Sequence, residues 1–178
     1  MNKINIKFHR PIMPEDLNEL LTESIESGWL TTGPKVKQFE SDLMEFLNSK
    51  YVVLVNSCTA ALHLALAAKG FTAGDKFIAP SYTFVATVEV GEYLGMEPIL
   101  VDCDINDFNL DLNQVEDILK SEKNIKAIIP VHFGGKPVNM NMINDMARNH
   151  NLFVLEDAAH SLETISNYGK VGNTNHAA

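Results

Sequence analysis

Apolar residues occur along this chain in two patterns, one with the spacing of a helix and one in short continuous runs that are typical of buried strands. The N-terminal part predicts two helices, whose apolar positions are Leu17, Leu20, Leu21 and Ile25 in the first and Val36, Phe39, Leu43 and Phe46 in the second. Five short, continuous apolar runs follow, at residues 51–55, 77–79, 98–101, 125–131 and 152–155. Runs of this length between polar segments predict five strands buried on both faces.

Helical segments separate the predicted strands. The alternation predicts helices over residues 59–69, from about 84 to 94, from an N-cap at Asp111 to Leu119, and over a segment that includes Met140, Ile143 and Met146. Buried strands that alternate with helices are typical of a parallel sheet with helices on both faces. The sequence therefore predicts an α/β fold with three layers, α/β/α, and a mainly parallel sheet, without a linker between domains.

Composition and charge exclude several classes of protein. The 178 residues are 46% hydrophobic and 21% charged, which is typical of a globular domain. The net charge of −9 argues against nonspecific binding to nucleic acid or to an anionic membrane. No apolar run reaches the roughly 18 residues of a membrane helix, and the polar N-terminus is not a signal peptide. With two distant cysteines, Cys58 and Cys103, no disulfide framework is expected, and the cytoplasm is the expected compartment.

Polar or small residues follow every predicted strand. They occupy residues 56–60, 80–84, 102–104, 132–135 and 156–160. In open parallel sheets, ligands bind beyond the carboxyl ends of the strands, so these segments predict one cleft at one edge of the sheet. Loops are polar in most proteins, and no single segment identifies a site.

The segment Ser57-Cys58-Thr59 lies where a predicted strand meets the N-terminus of a helix. Unpaired backbone amides and the helix dipole favour phosphate at such a place, and the hydroxyls of Ser57 and Thr59 can add donors. An ordinary N-cap by Ser57 or Thr59 explains the segment equally well. Neither a Walker lysine nor a G-x-G-x-x-G pattern is present.

Phe84, Asp157 and His160 each allow two interpretations. The ring of Phe84 either faces a flat ligand or belongs to the core. A carboxylate at Asp157, directly after a buried strand, requires a partner such as a heterocyclic N–H⁺, although a helix cap or a metal site would also explain it. His160 either binds a ligand oxygen or has a structural role. Paired carboxylates at 102/104 and 156/157 do not match the spacing of a recurrent metal motif, so no metal is expected.

Taken together, these segments resemble the DegT-type sugar aminotransferases. The resemblance rests on Ser27–Pro34 (Ser-Gly-Trp-Leu-Thr-Thr-Gly-Pro), Phe39-Glu40, Asn56–Leu64, Pro80–Thr87, Pro130–His132 and Glu156–Ser161, in that order over nearly the whole chain. The family resemblance implies a fold-type-I pyridoxal-phosphate (PLP) enzyme. Such an enzyme transfers an amino group, usually from glutamate, to the keto group of a nucleotide-linked sugar. The resemblance further implies a homodimer and a setting in bacterial polysaccharide or deoxysugar synthesis.

The resemblance assigns the cofactor phosphate to one segment and the sugar to another. Cys58, Thr59 and Ala60 would hold the phosphate through backbone amides and the Thr59 hydroxyl, although many relatives have glycine where Cys58 stands. Trp29, Leu30 and Thr31 would lie near the sugar substrate, in a part of the family that varies with substrate.

Three further residues would bind the cofactor ring. By the resemblance, Phe84 would stack on the pyridine ring. Asp157 would bond the ring nitrogen and keep it protonated, so that the ring can accept electrons from the substrate carbanion. His160, where many relatives carry glutamine, would bond the phenolic oxygen. Asp157 and His160 are the predicted catalytic residues.

The resemblance also implies what residues 1–178 lack. Transamination needs a lysine that forms a Schiff base with the cofactor. In this family that lysine occurs later than residue 178, and neither Lys136 nor Lys170 stands in its context. The chain is therefore expected to be an incomplete PLP-binding large domain, with an arm and substrate loop at about 1–35 and without the C-terminal small domain. A sugar dehydratase with histidine at the lysine position stays open, as does a noncatalytic remnant that binds a phosphorylated ligand or a partner subunit.

In the fold that this family adopts, two later strands separate the first strand from the others. Without them the sheet has a gap that exposes backbone edges and apolar surface. We therefore expect these 178 residues to be poorly stable on their own, and the missing lysine implies that they are also inactive.

Overall fold

The computed structural model describes residues 11–167 and 169–173. Six helices lie in this part of the chain: α1 (Leu17–Glu26), α2 (Pro34–Leu47), α3 (Cys58–Ala68), α4 (Ala86–Glu92), α5 (Leu112–Ser121) and α6 (Met140–His150). The strands are β1 (Lys76–Pro80), β2 (Glu97–Val101), β3 (Ile125–Ile128), β4 (Phe153–Val154), β5 (Ile165–Ser166) and β6 (Gly169–Lys170). The first ten residues of the predicted N-terminal arm lie outside the described residues.

Four strands form one parallel sheet in the order β2-β1-β3-β4. Ile78 of β1 lies opposite Ile99 of β2 and opposite Ile128 of β3. The chain leaves β1 toward β2 on one side and leaves β3 toward β4 on the other, so the topological switch point lies between β1 and β3. In such sheets, ligands bind at the carboxyl ends of the strands beside this point.

Apolar residues on both faces of the sheet pack against helices. On one face, Ile78 and Ile128 join Val115 of α5 and Ile143 of α6 in a buried cluster. On the other face, Phe77, Ala79 and Ala127 join Leu66 of α3 and Val90 of α4. Neighbouring strand residues such as Phe77 and Ile78 point to opposite faces because side chains alternate along a strand. This confirms the predicted three-layer α/β/α fold with a parallel sheet.

The prediction of a strand at Tyr51–Val55 is wrong for the structure described here. The segment pairs with no strand among the described residues, and its Leu54 N–H donates instead to Oε1 of Glu40 at 2.9 Å. Tyr51 and Val53 are 75% and 78% exposed. The apolar pattern identifies an extended segment, but a strand also needs a neighbour for its backbone groups. The described sheet therefore has four of the five predicted strands.

The two N-terminal helices occur where predicted, but they bury no residue. Phe39 and Leu21, for example, are each about half exposed. The end of α2 contacts a later part of the chain, because Asn173 donates to the carbonyls of Leu47 and Asn48 at 2.8 Å. The antiparallel pair β5 and β6, which the sequence did not predict, leads to Asn173. No helix in the described part of the chain has the length and apolar character needed to span a bilayer.

Candidate functional site

Asp157 lies just beyond β4, and only 6% of the residue is exposed. Its N–H donates to Pro130 O at 2.9 Å, and its carbonyl accepts from His132 N at 3.1 Å, which extends the pairing of β3 with β4. Oδ2 of its carboxylate accepts from the Thr87 hydroxyl at 2.7 Å, and Oδ1 accepts from Ala159 N at 3.2 Å. These bonds offset the desolvation of a buried carboxylate and fix its position.

The N-terminus of α3 lies beside this carboxylate, because Sγ of Cys58 is 3.9 Å from Oδ1 of Asp157. Partial burial raises the pKa of the Cys58 thiol, and the charge of Asp157 and its bond to the thiol raise the pKa further. The thiol is thus held as S–H and is not a nucleophile at neutral pH.

Ser57 is the N-cap of α3, and its hydroxyl accepts from Ala60 N at 3.1 Å. The structure therefore confirms the capping interpretation for Ser57. The N–H groups of Cys58 and Thr59 belong to the first turn of α3, where no acceptor is available within the helix. A phosphate at this position would meet the amides of Cys58 and Thr59 directly, whereas Ala60 N would have to share its bond with Ser57.

The Phe84 ring is 75% exposed, so its alternative interpretation as a core residue is wrong. Phe84 precedes Val85, the N-cap of α4, and the Phe84 carbonyl accepts from Thr87 N at 3.1 Å. Thr87 in turn bonds Asp157. One turn of backbone therefore connects the exposed ring to the partner of the buried carboxylate.

His160 is exposed, and its Nδ1 accepts from Gly134 N at 3.2 Å. Because Nδ1 accepts an N–H, the ring proton lies on Nε2, which is left as a donor. Gly134 and Gly135 have φ of 58° and 83°, values that favour glycine. A Cβ at Gly135 would lie 3.2 Å from the His160 carbonyl, so this tight turn allows the two loops to approach.

Sequence reasoning assigned no role to Thr87, His132 or Glu156. His132 and Glu156 form a buried pair, with Nε2 and Oε2 2.8 Å apart. His132 and Glu156 belong to segments that follow predicted strands, which was the available signal, whereas Thr87 lies within the helix predicted from about 84 to 94. The pattern could not show that these particular side chains meet.

The predicted substrate loop packs locally. Trp29 covers Gly33 of the same loop, where an added Cβ would lie 3.0 Å from the indole. A cavity of about 140 Å³ lies between α1 and α2, and its lining includes Trp29, Thr31, Glu23 and Lys35. Leu30 of the same loop is 74% exposed. A role in substrate binding stays a prediction for Trp29, Leu30 and Thr31.

The paired carboxylates near β2 bind backbone groups of their own loop. Asp102 accepts from Cys103 N at 2.8 Å, and Asp104 accepts from Asn106 N at 2.7 Å. Within residues 11–167 and 169–173, no cluster of three or more histidine, cysteine, aspartate or glutamate side chains could hold a metal ion.

The parallel sheet with helices on both faces is the fold of type-I PLP aminotransferases, and solved aminotransferases superpose on it with TM-scores of 0.85 and 0.86. The chain belongs to the DegT/DnrJ/EryC1/StrS aminotransferase family, which it matches over residues 11–178. This confirms the family resemblance seen in the sequence.

Relatives and solved structures agree with this assignment. The chain is 42% identical over 168 residues to the spore coat polysaccharide biosynthesis protein SpsC of Bacillus subtilis, covering 94% of this chain and 43% of that protein. The PLP form of the putative sugar aminotransferase Spr1654 from Streptococcus pneumoniae superposes with a TM-score of 0.87 at 27% identity, covering 96% and 47% of the two chains. NtdA from Bacillus subtilis with bound cofactor PMP gives a TM-score of 0.81 at 33% identity, covering 92% and 36%. The chain thus spans about two fifths of the length of the curated relative SpsC.

Proposed function

We propose that this chain provides the cofactor-binding part of a PLP-dependent sugar aminotransferase. The reaction would transfer an amino group, with glutamate as the donor, to a nucleotide-linked keto sugar in deoxyamino-sugar or polysaccharide biosynthesis. The observation that carries the proposal is the buried Asp157 carboxylate, whose Oδ1 lies beside the N-terminus of α3. The polysaccharide role named for SpsC supports the choice of pathway class.

The residues present fit the cofactor. Asp157 offers Oδ1 to a protonated ring nitrogen, and Phe84 offers an exposed ring for stacking. The first turn of α3 offers the amides of Cys58 and Thr59 to the phosphate, and His160 offers Nε2–H to the phenolic oxygen. When bound, PLP supplies an electron sink for the carbanion at the substrate carbon. Asp157 and His160 would act on that chemistry by holding protons and charge at the ring.

The remaining parts of the proposal concern the whole protein. The loop at Trp29, Leu30 and Thr31 would meet the nucleotide-linked sugar, and two subunits would form a homodimer. The reaction would take place in the cytoplasm. The net charge of −9 supports a small-molecule substrate in preference to nucleic acid or a membrane surface.

The test uses the protein expressed from its natural reading frame. It would be supplied with PLP, L-glutamate and a panel of UDP- and dTDP-linked keto sugars, and 2-oxoglutarate formation and product mass would be measured. An amino-sugar product supports the proposal, and it should be lost in Asp157→Ala but not in Asp117→Ala, which removes an exposed carboxylate of α5. A product that has only lost water would identify a sugar dehydratase instead. If no sugar gave a product and the protein bound no cofactor, the result would support the alternative that the chain is a noncatalytic remnant.

The 178 residues alone are expected to be poorly stable, because apolar side chains such as Tyr51, Val53 and Phe39 lie exposed. They are expected to be inactive because none of their lysines stands in the context of the Schiff-base lysine. Size-exclusion chromatography and denaturant melting test the stability, and a cooperatively folding monomer would contradict it. Borohydride reduction after PLP addition should label no single lysine. Lys170 in particular is engaged elsewhere, since its Nζ donates to Phe46 O and lies 3.9 Å from the centre of the Phe46 ring.

A further inference from the structure

Two threonine hydroxyls form a hydrogen-bonded chain that ends on Asp157. Oγ1 of Thr83 lies 2.8 Å from Oγ1 of Thr87, which lies 2.7 Å from Oδ2 of Asp157. Thr87 is fully buried, and Thr83 is half-buried. These two hydrogen bonds join the loop after β1 to the end of β4, and Thr87 and Asp157 are 70 residues apart in the sequence.

The direction of the hydrogen bonds in this chain follows from chemistry. An ionised carboxylate only accepts, so Thr87 must give its single hydroxyl proton to Asp157. Thr87 can then only accept from Thr83, which becomes the donor. Bonds to an ionised group are stronger than neutral ones, and burial strengthens them further. Asp157 is therefore held by a directed, desolvated bond on one of its two oxygens.

This bond separates the tasks of the two carboxylate oxygens. Oδ2 is turned toward Thr87 inside the protein. Oδ1 is turned toward Ala159 N and the Cys58 thiol, at the N-terminus of α3. A carboxylate fixed at Oδ2 cannot rotate about its side-chain bond without losing that contact, so Oδ1 keeps facing the proposed cofactor site.

We propose that Thr87, supported by Thr83, is a positioning residue that holds Asp157 with Oδ1 aimed at the protonated ring nitrogen of the cofactor. Thr87 also lies in the first turn of α4, and its N–H bonds the carbonyl of Phe84. The same residue therefore sets the carboxylate and anchors the backbone of the stacking ring. This inference rests on the proposed function, because it needs the cofactor to occupy this site.

The test measures binding of two probes to the protein expressed from its natural reading frame. One probe is pyridoxamine phosphate, which forms no Schiff base with lysine, and the other is its analogue with carbon in place of the ring nitrogen. Dissociation constants would be measured by isothermal titration calorimetry for the wild type, Thr87→Val, Thr87→Ser and Thr83→Val. Thr22→Val, which changes an exposed threonine of α1, is the matched control.

Thr87→Val should weaken binding of pyridoxamine phosphate by about tenfold or more, because the bond that it removes is made to a charged group. The nitrogen-free analogue should bind both proteins with about the same affinity, since it makes no bond to Asp157. Thr87→Ser should restore most of the affinity, and Thr83→Val should cause a smaller loss for pyridoxamine phosphate alone. Should Thr87→Val fail to fold in a thermal melt, Thr83→Val provides the same comparison.

Equal weakening of both probes would show that Thr87 only supports the fold, and this would overturn the inference while leaving the cofactor site standing. An unchanged affinity for pyridoxamine phosphate in Thr87→Val would overturn it as well. A wild-type protein that binds neither probe would overturn the proposed function itself, and the inference with it.

Discussion

Nε2 of His132 lies 2.8 Å from Oε2 of Glu156, and both side chains are buried. Nδ1 of the same ring accepts from Val138 N at 3.1 Å, so the ring proton lies on Nε2 and is donated to the carboxylate. The backbone N–H of His132 bonds the carbonyl of Asp157. The pair thus ties the loop after β3 to the strand end that carries the proposed cofactor ligand.

Removing the acceptor of this pair should destabilise the protein. Glu156→Ala leaves the His132 Nε2–H buried without this partner, and we expect the free energy of unfolding to fall by about 2 kcal/mol. Glu156→Gln keeps an oxygen that can accept and should cost less. Urea denaturation followed by circular dichroism measures both variants.

Glu163→Ala provides the control, because Glu163 is an exposed carboxylate in the same region of the chain. It should unfold close to the wild type. If Glu156→Ala unfolded at the same urea concentration as Glu163→Ala, the buried pair would not contribute to stability.

The neighbourhood of Asp157 should be visible in the chemistry of Cys58. Partial burial raises the pKa of the Cys58 thiol, and the nearby Asp157 charge adds to the rise. Asp157→Asn removes that charge, so the pKa of the thiol should fall while staying above its ordinary value because burial persists. Iodoacetamide reacts with the thiolate, and alkylation at mildly alkaline pH should therefore become faster in Asp157→Asn.

This measurement would use a Cys103→Ser background, so that Cys58 carries the thiol that iodoacetamide can alkylate. The rate would be followed from neutral to alkaline pH by mass spectrometry, with Asp145→Asn as a control carboxylate on the surface of α6. Identical pH profiles for Asp157→Asn and the parent protein would show that the carboxylate does not act on the thiol.

The sequence predicted those parts of the fold that depend on local pattern. The runs at 77–79 and 98–101 became β1 and β2 because each is apolar on both faces and is followed by a helix whose apolar side packs on the sheet. Tyr51–Val55 has the same pattern, but pairing depends on a neighbour, which no local pattern contains. The apolar run therefore identified an extended segment without showing whether it joins the sheet.

The candidate site also contains residues that the sequence predicted and residues that it did not. Asp157 was predicted because a carboxylate after a buried strand needs a partner. Thr87 was not, because its bond to Asp157 depends on how α4 packs against a loop 70 residues away. Likewise, His132 and Glu156 are 24 residues apart, and neither has a distinctive spacing. Residue type and position relative to a strand could be predicted, whereas the pairing of side chains required the tertiary structure.

The N-cap of α5 should show a defined pH dependence. Desolvation acts to raise the pKa of the Asp111 carboxyl, but hydrogen bonds from Asn113 and Gln114 outweigh it and hold the pKa below its ordinary value. A carboxyl with a lowered pKa in the folded state stabilises the protein above its unfolded-state pKa, and this stabilisation is lost as the pH falls through the folded-state pKa. Asp111→Ala should therefore lower the melting temperature at neutral pH and differ progressively less from the wild type in acid.

Asp111→Asn separates the cap from the charge, because asparagine also accepts at an N-cap. It should keep most of the melting temperature at neutral pH and lose the acid dependence. Asp117→Ala, on the same helix but away from the cap, is the control. Melting of Asp111→Ala at the wild-type temperature at pH 7 would contradict the role of the cap.

The contact of α4 with β1 depends on the absence of a side chain at Gly91. A Cβ there would lie 2.3 Å from Cε1 and 2.5 Å from Cζ of Phe77, and both residues are buried. Alanine in a helix is favoured over glycine by about 1 kcal/mol. Overpacking a core costs about 1–3 kcal/mol, and the Phe77 side chain is fully buried among close-packed neighbours. We therefore expect Gly91→Ala to be destabilising despite its better helix propensity.

The comparison that isolates this clash is a double-mutant cycle with Phe77→Leu, measured by urea denaturation. Leucine lacks the ring atoms nearest the added methyl group, so Gly91→Ala should cost less in the Phe77→Leu background than in the wild type. Glu92→Ala, an exposed position of the same helix, controls for helix propensity. If Gly91→Ala lowered the free energy of unfolding equally in both backgrounds, contact with the Phe77 ring would not be the cause. Because Thr87 lies one turn before Gly91 on α4, Gly91→Ala should also weaken pyridoxamine phosphate binding if the helix shifts to relieve the contact.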